Sequence, residues 1–146
     1  MRVRTRAGAC ALLGLVVTTG CAAPAASGPG PAAASPQRAN PASESCARSG
    51  GTLSLEQDGG GGTYGVCRFV DNRQCEEWAL FRGECPSGGV GVTGYATPAA
   101  RYCAITGGRY AATARSNTPS EEGTCTFDAG KTCDAGAYHR GQCARR

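Results

Sequence analysis

Eight cysteines, arranged with nearly the same spacing twice over, constrain the fold of this chain more than any other feature. The chain has one Trp and one Met but 23 Gly among its 146 residues. A core with so few large apolar side chains cannot offset the conformational entropy lost on folding unless crosslinks help it. An even set of cysteines in a short segment is typical of a disulfide framework. The set consists of Cys46, Cys67, Cys75, Cys85, Cys103, Cys125, Cys133 and Cys143.

Zinc binding is the alternative use of such a set. Structural zinc sites combine four Cys or His ligands, often in closely spaced pairs. This sequence has no CxxC pair and a single histidine, His139. Disulfides are therefore the expectation, and neither a metal site nor any other cofactor is predicted.

The cysteines belong to an internal repeat. Residues 40–51 correspond to residues 97–108, and residues 65–85 correspond to residues 123–143. All four cysteines and their flanking glycines recur in the second copy. Self-similarity of this kind indicates a duplication. It predicts repeat one at 40–85, a Gly-rich linker at 86–95 and a degenerate repeat two at 96–146.

Each copy begins with the signals of a short helix. Asn40 and Thr97 are suited to the N-cap position, and each precedes a proline suited to the first helical position. The Gly-Gly pair at 50–51, repeated at 107–108, is a helix stop signal. Alternation of Leu53 and Leu55 then predicts a strand.

The rest of each copy predicts a hairpin and a closing helix. After a turn, a second strand carries Cys67 and Phe69 on one face. In repeat one, two acidic residues, an apolar run and Gly83 predict a last helix over 76–82. The fold class is therefore α+β. We expect two tandem, small, disulfide-stapled helix–hairpin–helix domains after a signal peptide and a disordered tether.

The two copies differ in charge and in the closing helix. Repeat one has four basic and seven acidic residues, a net charge of −3, whereas repeat two has seven basic and four acidic residues, net +3. Opposite charges favour docking of the copies on each other. Repeat two also has Gly136 and His139 where repeat one has Trp78 and Phe81. From Cys21 onward the charges nearly cancel, which argues against a nucleic-acid partner.

The first twenty residues predict export. Three arginines precede an apolar run at 11–17 that is too short to span a bilayer. It leads into Thr18-Thr19-Gly20-Cys21, which resembles the lipobox of bacterial lipoproteins, with Thr18 in place of the usual Leu, Val or Ile. The resemblance implies cleavage after residue 20 and a lipid on Cys21. The alternative is signal-peptidase cleavage beyond Cys21, which would release a free secreted protein.

Residues 22–39 predict a Pro/Ala/Ser-rich tether with a maximum reach of about 55 Å. A lipid on Cys21 would hold such a tether to a membrane of the cell envelope. Ala22 stands where inner-membrane lipoproteins carry Asp, so the resemblance implies the outer membrane, facing the periplasm, if the source is Gram-negative.

Repeat one resembles a small bacterial family of domains of unknown function. The matching residues are Asn40-Pro41-Ala42-Ser43, Cys46, Gly50-Gly51, Cys67 and the whole run 75–85. Members of that family occur in lipoproteins and periplasmic proteins and often carry a hemolysin label. Repeat two keeps the cysteine and glycine skeleton but departs from the family at the Trp-containing helix.

The family resemblance also bears on the disulfides, since four cysteines in each repeat allow three pairings. It implies Cys46–Cys67 and Cys103–Cys125, which makes Cys75–Cys85 and Cys133–Cys143 the remaining pairs. A continuous ten-residue helix would hold Cys75 and Cys85 about 15 Å apart. That pair therefore requires a short helix and a chain reversal at Gly83.

No set of residues predicts catalysis. Glu76 and Glu77 are adjacent, and adjacent helical side chains point about 100° apart, so the expected role is stabilisation of the first helical turn. His139 has no free cysteine to activate and is expected to be a surface or structural histidine. Trp78 and Phe81 are expected in the core, as in most small domains, with an exposed recognition patch as the alternative.

The expected function is a non-enzymatic, lipid-anchored protein of the cell envelope that acts as a binding or structural module. Its partners would be the membrane, through Cys21, and an envelope protein or glycan. The first alternative is an inhibitor of a periplasmic or host hydrolase, with a rigid, projecting loop at 56–63 as bait. The second is a hemolysin-like toxin, as the family label implies, although a helical pore needs long apolar segments and residues after 20 contain none.

Overall fold

A computed structural model describes residues 39–145. The predicted signal peptide and most of the predicted tether, with Cys21, lie outside the described residues. Repeat one comprises α1 (Pro41–Arg48), β1 (Thr52–Gln57), β2 (Thr63–Phe69), β3 (Arg73–Glu76) and α2 (Glu77–Phe81), followed by β4 (Val90–Gly91). Repeat two comprises α3 (Pro98–Ile105), β5 (Arg109–Ala114), β6 (Glu122–Thr126), β7 (Thr132–Asp134) and α4 (Ala135–His139).

The fold is α+β, but each repeat contains more than a hairpin. The first sheet is antiparallel in the order β1-β2-β3-β4, and the second in the order β5-β6-β7. The expectation of helix–hairpin–helix missed β3 and β7. These strands have four and three residues, too few to show an alternating pattern. Both run directly into the closing helix, and the helix predicted over 76–82 therefore included Glu76, the last residue of β3.

The predicted helix signals work as expected, and the Gly-Gly pair has two separate roles. The side chains of Asn40 and Thr97 cap α1 and α3 by accepting hydrogen bonds from backbone N–H groups. The first glycine of each pair has a left-handed backbone, with φ of +78° at Gly50. The second glycine makes room for the disulfide, because a Cβ at Gly51 would lie 2.3 Å from Cys67 Sγ. Gly108 is confined in the same way in repeat two.

Four disulfides close the repeats, in the pairs that the resemblance implied: Cys46–Cys67, Cys75–Cys85, Cys103–Cys125 and Cys133–Cys143. The pair across the closing helix is possible because α2 has five residues and the chain reverses at Gly83, where φ is +73°. The Cα atoms of Cys75 and Cys85 are consequently 5.8 Å apart. Such bonds persist in compartments outside the reducing cytoplasm.

Each repeat has a small core built mainly around its cystines. In repeat one the cystines pack with Ala79 and Leu80 of α2, and in repeat two they pack with Phe127 and Tyr138. Leu53 and Leu55 do mark a strand, β1, but their side chains are exposed because β1 is the edge of its sheet.

A third core joins the two repeats. Cys67 faces α1, to which its disulfide binds it, so the neighbouring Val66 points to the opposite face of the sheet. There Val66 packs against Ile105 of α3, and both side chains are completely buried. The helix α3 therefore covers the reverse face of the first sheet. Val92, from the predicted linker, is buried in the same cluster, so residues 86–95 are part of the folded unit.

Ion pairs across the repeats confirm the expected attraction between them. Arg101 of repeat two binds the Glu56 carboxylate and donates a 2.7 Å hydrogen bond to Gln74 Oε1. Arg145 binds Glu84 at 2.6 Å. No helix within residues 39–145 is long and apolar enough to cross a bilayer.

Candidate functional site

The closing helix of repeat one, α2, is fixed at its start by Glu76. This residue ends β3 and is the N-cap of α2, where its carboxylate accepts hydrogen bonds from the backbone N–H groups of Trp78 and Ala79 at 3.0 and 2.8 Å. Burial raises the pKa of Glu76 above its ordinary value. The carboxylate therefore has a structural role in the first turn, as its position in the sequence suggested.

Glu77 binds α2 to α1. Its carboxylate accepts hydrogen bonds from Asn40 Nδ2 at 3.1 Å and from Ser43 Oγ at 2.6 Å. Its side chain also packs against Gly65, where an added Cβ would lie 2.4 Å from Glu77 Cδ. No local sequence pattern indicates this contact, since Asn40 and Glu77 are 37 positions apart. The two glutamates thus hold separate groups and form no common site.

Trp78 and Phe81 form an exposed aromatic patch on α2. Their rings meet edge to face with centroids 5.7 Å apart, and the two residues are 39% and 46% exposed. The expectation that they lie in the core is wrong, and the alternative of an exposed patch describes their position. On a helix of five residues Ala79 and Leu80 occupy the buried side, while residues three apart share the outer face.

The turn between β1 and β2 is ordered by its own hydrogen bonds and contacts repeat two. Asp58 Oδ1 accepts hydrogen bonds from the N–H groups of Gly60 and Gly62, both at 2.8 Å. Gly59 N donates to the backbone carbonyl of His139 at 3.0 Å, so the turn lies on α4 of repeat two. The loop at 56–63 is therefore held against repeat two at Gly59, while residues 59–63 are exposed.

Repeat two has a cleft of about 500 Å³ at the position where repeat one is filled by α2 side chains. Ala135 takes the place of Glu77, whose side chain packs against Gly65 in repeat one, and Ala135 and Gly123 line the cleft. Gly136 takes the place of the exposed Trp78. Residues of both repeats line the cleft, among them Gly59, Thr97, Tyr110, Glu121, Gly136 and His139.

Four polar side chains of this cleft already have partners inside the protein. Tyr110 donates to Glu121 at 2.9 Å, Glu122 pairs with Arg115, and Asp134 caps α4. Burial and the bond to Glu121 raise the pKa of Tyr110 to about 12. The cleft therefore offers few uncommitted groups with which to recognise a ligand.

His139 is the residue of the cleft with the most unusual environment. Its ring lies 5.2 Å from that of Tyr102, and burial lowers its pKa below the ordinary value. Its Nε2 is buried and has no hydrogen-bond partner among residues 39–145. Over the same residues, no group of three or more His, Cys, Asp and Glu side chains is arranged to hold a metal ion.

Comparison with known proteins identifies both repeats. Residues 37–84 and residues 94–142 each match the family described as "Domain of unknown function (DUF333)". No curated protein and no solved structure matches the chain significantly. Each match covers three of the four cysteines of its repeat and ends just before the last, Cys85 or Cys143.

Proposed function

The chain belongs to the DUF333 family, with two copies in tandem, and from this premise we propose that it is a non-enzymatic module of the cell envelope that binds a partner through the aromatic patch. The observation that carries the proposal is the exposure of Trp78 and Phe81. Exposed aromatic pairs on a rigid surface are typical binding groups, because they bury much apolar area at little cost in side-chain entropy.

The scaffold beneath the patch supports this proposal. A disulfide closes α2, Glu76 caps it, and Glu77 binds it to α1. Because so many contacts fix so short a helix, the two rings are presented in one arrangement before any partner arrives. Preorganisation of this kind raises affinity by reducing the entropy lost on binding.

A lipid on Cys21 is the second part of the proposal. The four disulfides support a location outside the cytoplasm, and the lipobox-like run 18–21 supports the anchor. Metabolic labelling with a clickable fatty acid is expected to tag the wild type and not Cys21→Ser. Labelling of the Cys21→Ser variant, or an intact mass that shows an unmodified N-terminus at or beyond Ala22, would exclude the anchor.

Site-specific photo-crosslinking tests the patch itself. A photoreactive amino acid at position 81 should form adducts in intact cells, and the same group at Val70 should not. Val70 is the matched control because it is apolar and 79% exposed but lies outside the patch. Equal labelling at both positions would refute a binding role for the patch.

The two alternatives rest on different features. The inhibitor alternative proposed an exposed loop at 56–63 as bait, and it stays a prediction: the loop contacts repeat two at Gly59, while residues 59–63 are exposed. The hemolysin-like alternative stays a prediction of the resemblance, and lysis of lipid vesicles by the purified chain is its test.

A further inference from the structure

We infer that the aromatic patch docks on the lipid bilayer that holds the protein, so that the folded unit lies with α2 against the membrane surface. The inference rests on the proposed anchor at Cys21. It assigns the partner of the patch as a lipid surface. A protein, a glycan and a second copy of the chain are the competing occupants that the experiment has to separate.

The aromatic patch lies close to the point at which the described chain begins. The tether meets the folded unit at Asn40, the N-cap of α1. The Asn40 side chain donates its hydrogen bond to Glu77, the residue directly before Trp78. The point at which the tether joins and the patch are therefore neighbours on one side of repeat one. If the tether is anchored by a lipid, it joins the folded unit beside the patch, and the inferred docking would leave both facing the same membrane.

The chemistry of the patch suits a bilayer interface. Trp has a large apolar ring with one polar N–H, and such residues concentrate where hydrocarbon meets headgroups. The acidic groups of α1 and α2 do not oppose the approach. Glu76 and Glu77 are buried, and Glu44 forms an ion pair with Arg48 at 3.4 Å. Just beyond α2, Glu84 forms an ion pair with a neighbouring arginine at 2.8 Å.

Repeat two provides an internal comparison. Its counterparts of Trp78 and Phe81 are Gly136 and His139, and the turn of repeat one at Gly59 lies against that part of α4. Where the turn at Gly59 lies against the end of the closing helix, the large aromatic pair is absent. Where the closing helix faces outward, the pair is present. This difference associates the aromatic rings with a partner outside the folded unit.

Because the protein would be tethered, a weak contact between the patch and the bilayer would be enough to orient it. Two half-exposed rings alone would bind a bilayer weakly and reversibly. An anchored tether converts docking into an intramolecular step at an effective concentration in the millimolar range. The anchor would therefore retain the protein, and the patch would fix its orientation.

The single tryptophan allows a direct test. In the chain beginning at Cys21, the eight downstream cysteines are paired, which leaves Cys21 as the thiol for coupling. We would couple it to a maleimide lipid in vesicles of phosphatidylethanolamine and phosphatidylglycerol and record Trp78 fluorescence. Docking predicts a shift of emission to shorter wavelength and loss of intensity when the acyl chains carry bromine. Phe81→Ala should weaken both effects.

The matched control moves the single tryptophan from position 78 to position 70. In Trp78→Phe/Val70→Trp, the tryptophan occupies another exposed position and should keep the emission of the free chain and escape quenching. Unchanged Trp78 emission on coupling would overturn the inference, as would a blue shift without bromine quenching, which indicates contact between copies. Because chemical coupling replaces cellular lipidation, neither result bears on the anchor at Cys21, which fatty-acid labelling tests separately.

Discussion

Replacement of Ile105 by alanine tests whether the two repeats fold as one unit. The Ile105 side chain is completely buried where α3 meets Val66 of repeat one. The substitution removes three carbons, worth about 2.4 kcal/mol at about 0.8 kcal/mol for each buried carbon. The cavity that remains raises the expected loss to about 3–4 kcal/mol. That is a large share of the free energy of unfolding of a typical protein, which is roughly 5–15 kcal/mol.

Trp78 fluorescence reports on repeat one, while the substitution Ile105→Ala lies in repeat two. We would therefore follow urea unfolding of the oxidised protein by Trp78 fluorescence. We expect fluorescence and far-UV circular dichroism to show the same lowered midpoint. Arg48→Ala is the control, because Arg48 occupies the matching position of α1 with its side chain 65% exposed. Its effect should stay below about 0.5 kcal/mol.

A particular result would refute the reasoning. If the Trp78 transition of Ile105→Ala kept the wild-type midpoint while circular dichroism showed earlier loss of structure, repeat one would fold without repeat two. The cluster between the sheets would then be a contact that contributes little to stability.

Three further predictions concern single sites. Gly51→Ala should release free thiols or lower the unfolding midpoint because its Cβ would overlap a disulfide sulfur, whereas Gly91→Ala, with open space around it, should change neither. The hydrogen bond from Arg101 lowers the pKa of Glu56 in the folded protein. The pair therefore stabilises the folded state above the ordinary carboxyl pKa of about 4.3, and this stabilisation is lost as the pH falls. Arg101→Met should lower the urea midpoint of unfolding near neutral pH and change it little in acid. Burial lowers the pKa of His139 in the folded protein. Its contribution to stability is therefore fully present above about pH 6.5 and is lost on acidification. In His139→Gln, the free energy of unfolding should fall less between about pH 7 and about pH 5 than in the wild type.

Local signals made much of the fold predictable. The N-caps, the Gly-Gly stops and the duplicated cysteines act over a few residues, so the sequence shows them directly. The short strands β3 and β7 escaped because their hydrogen-bonding partners, not their composition, make them strands. Sheet pairing joins residues that are distant in the chain, and no local pattern records it.

The candidate site was less predictable for a related reason. Trp78 and Phe81 look like core residues in any small domain, and their exposure follows from which side of α2 meets the cystines. Spacing contained a partial clue, since residues at i and i+3 share a helix face and Ala79 recurs in repeat two as Ala137. The cleft of repeat two arises from side chains that are missing, which composition alone does not reveal.

The disulfide pattern has a consequence for how the protein matures. Each bond joins two cysteines that follow one another directly in the sequence after residue 40. For a chain that reaches an oxidising compartment N-terminus first, the native partner of each unpaired cysteine is the next one to arrive. An oxidase that joins thiols in order of arrival would produce the native set without slow reshuffling. Pairing in order of arrival gives the native set only if it starts at Cys46. A free thiol at Cys21 would pair with Cys46 and displace every later pair by one cysteine. A thioether bond from Cys21 to lipid would remove that thiol from the mature chain.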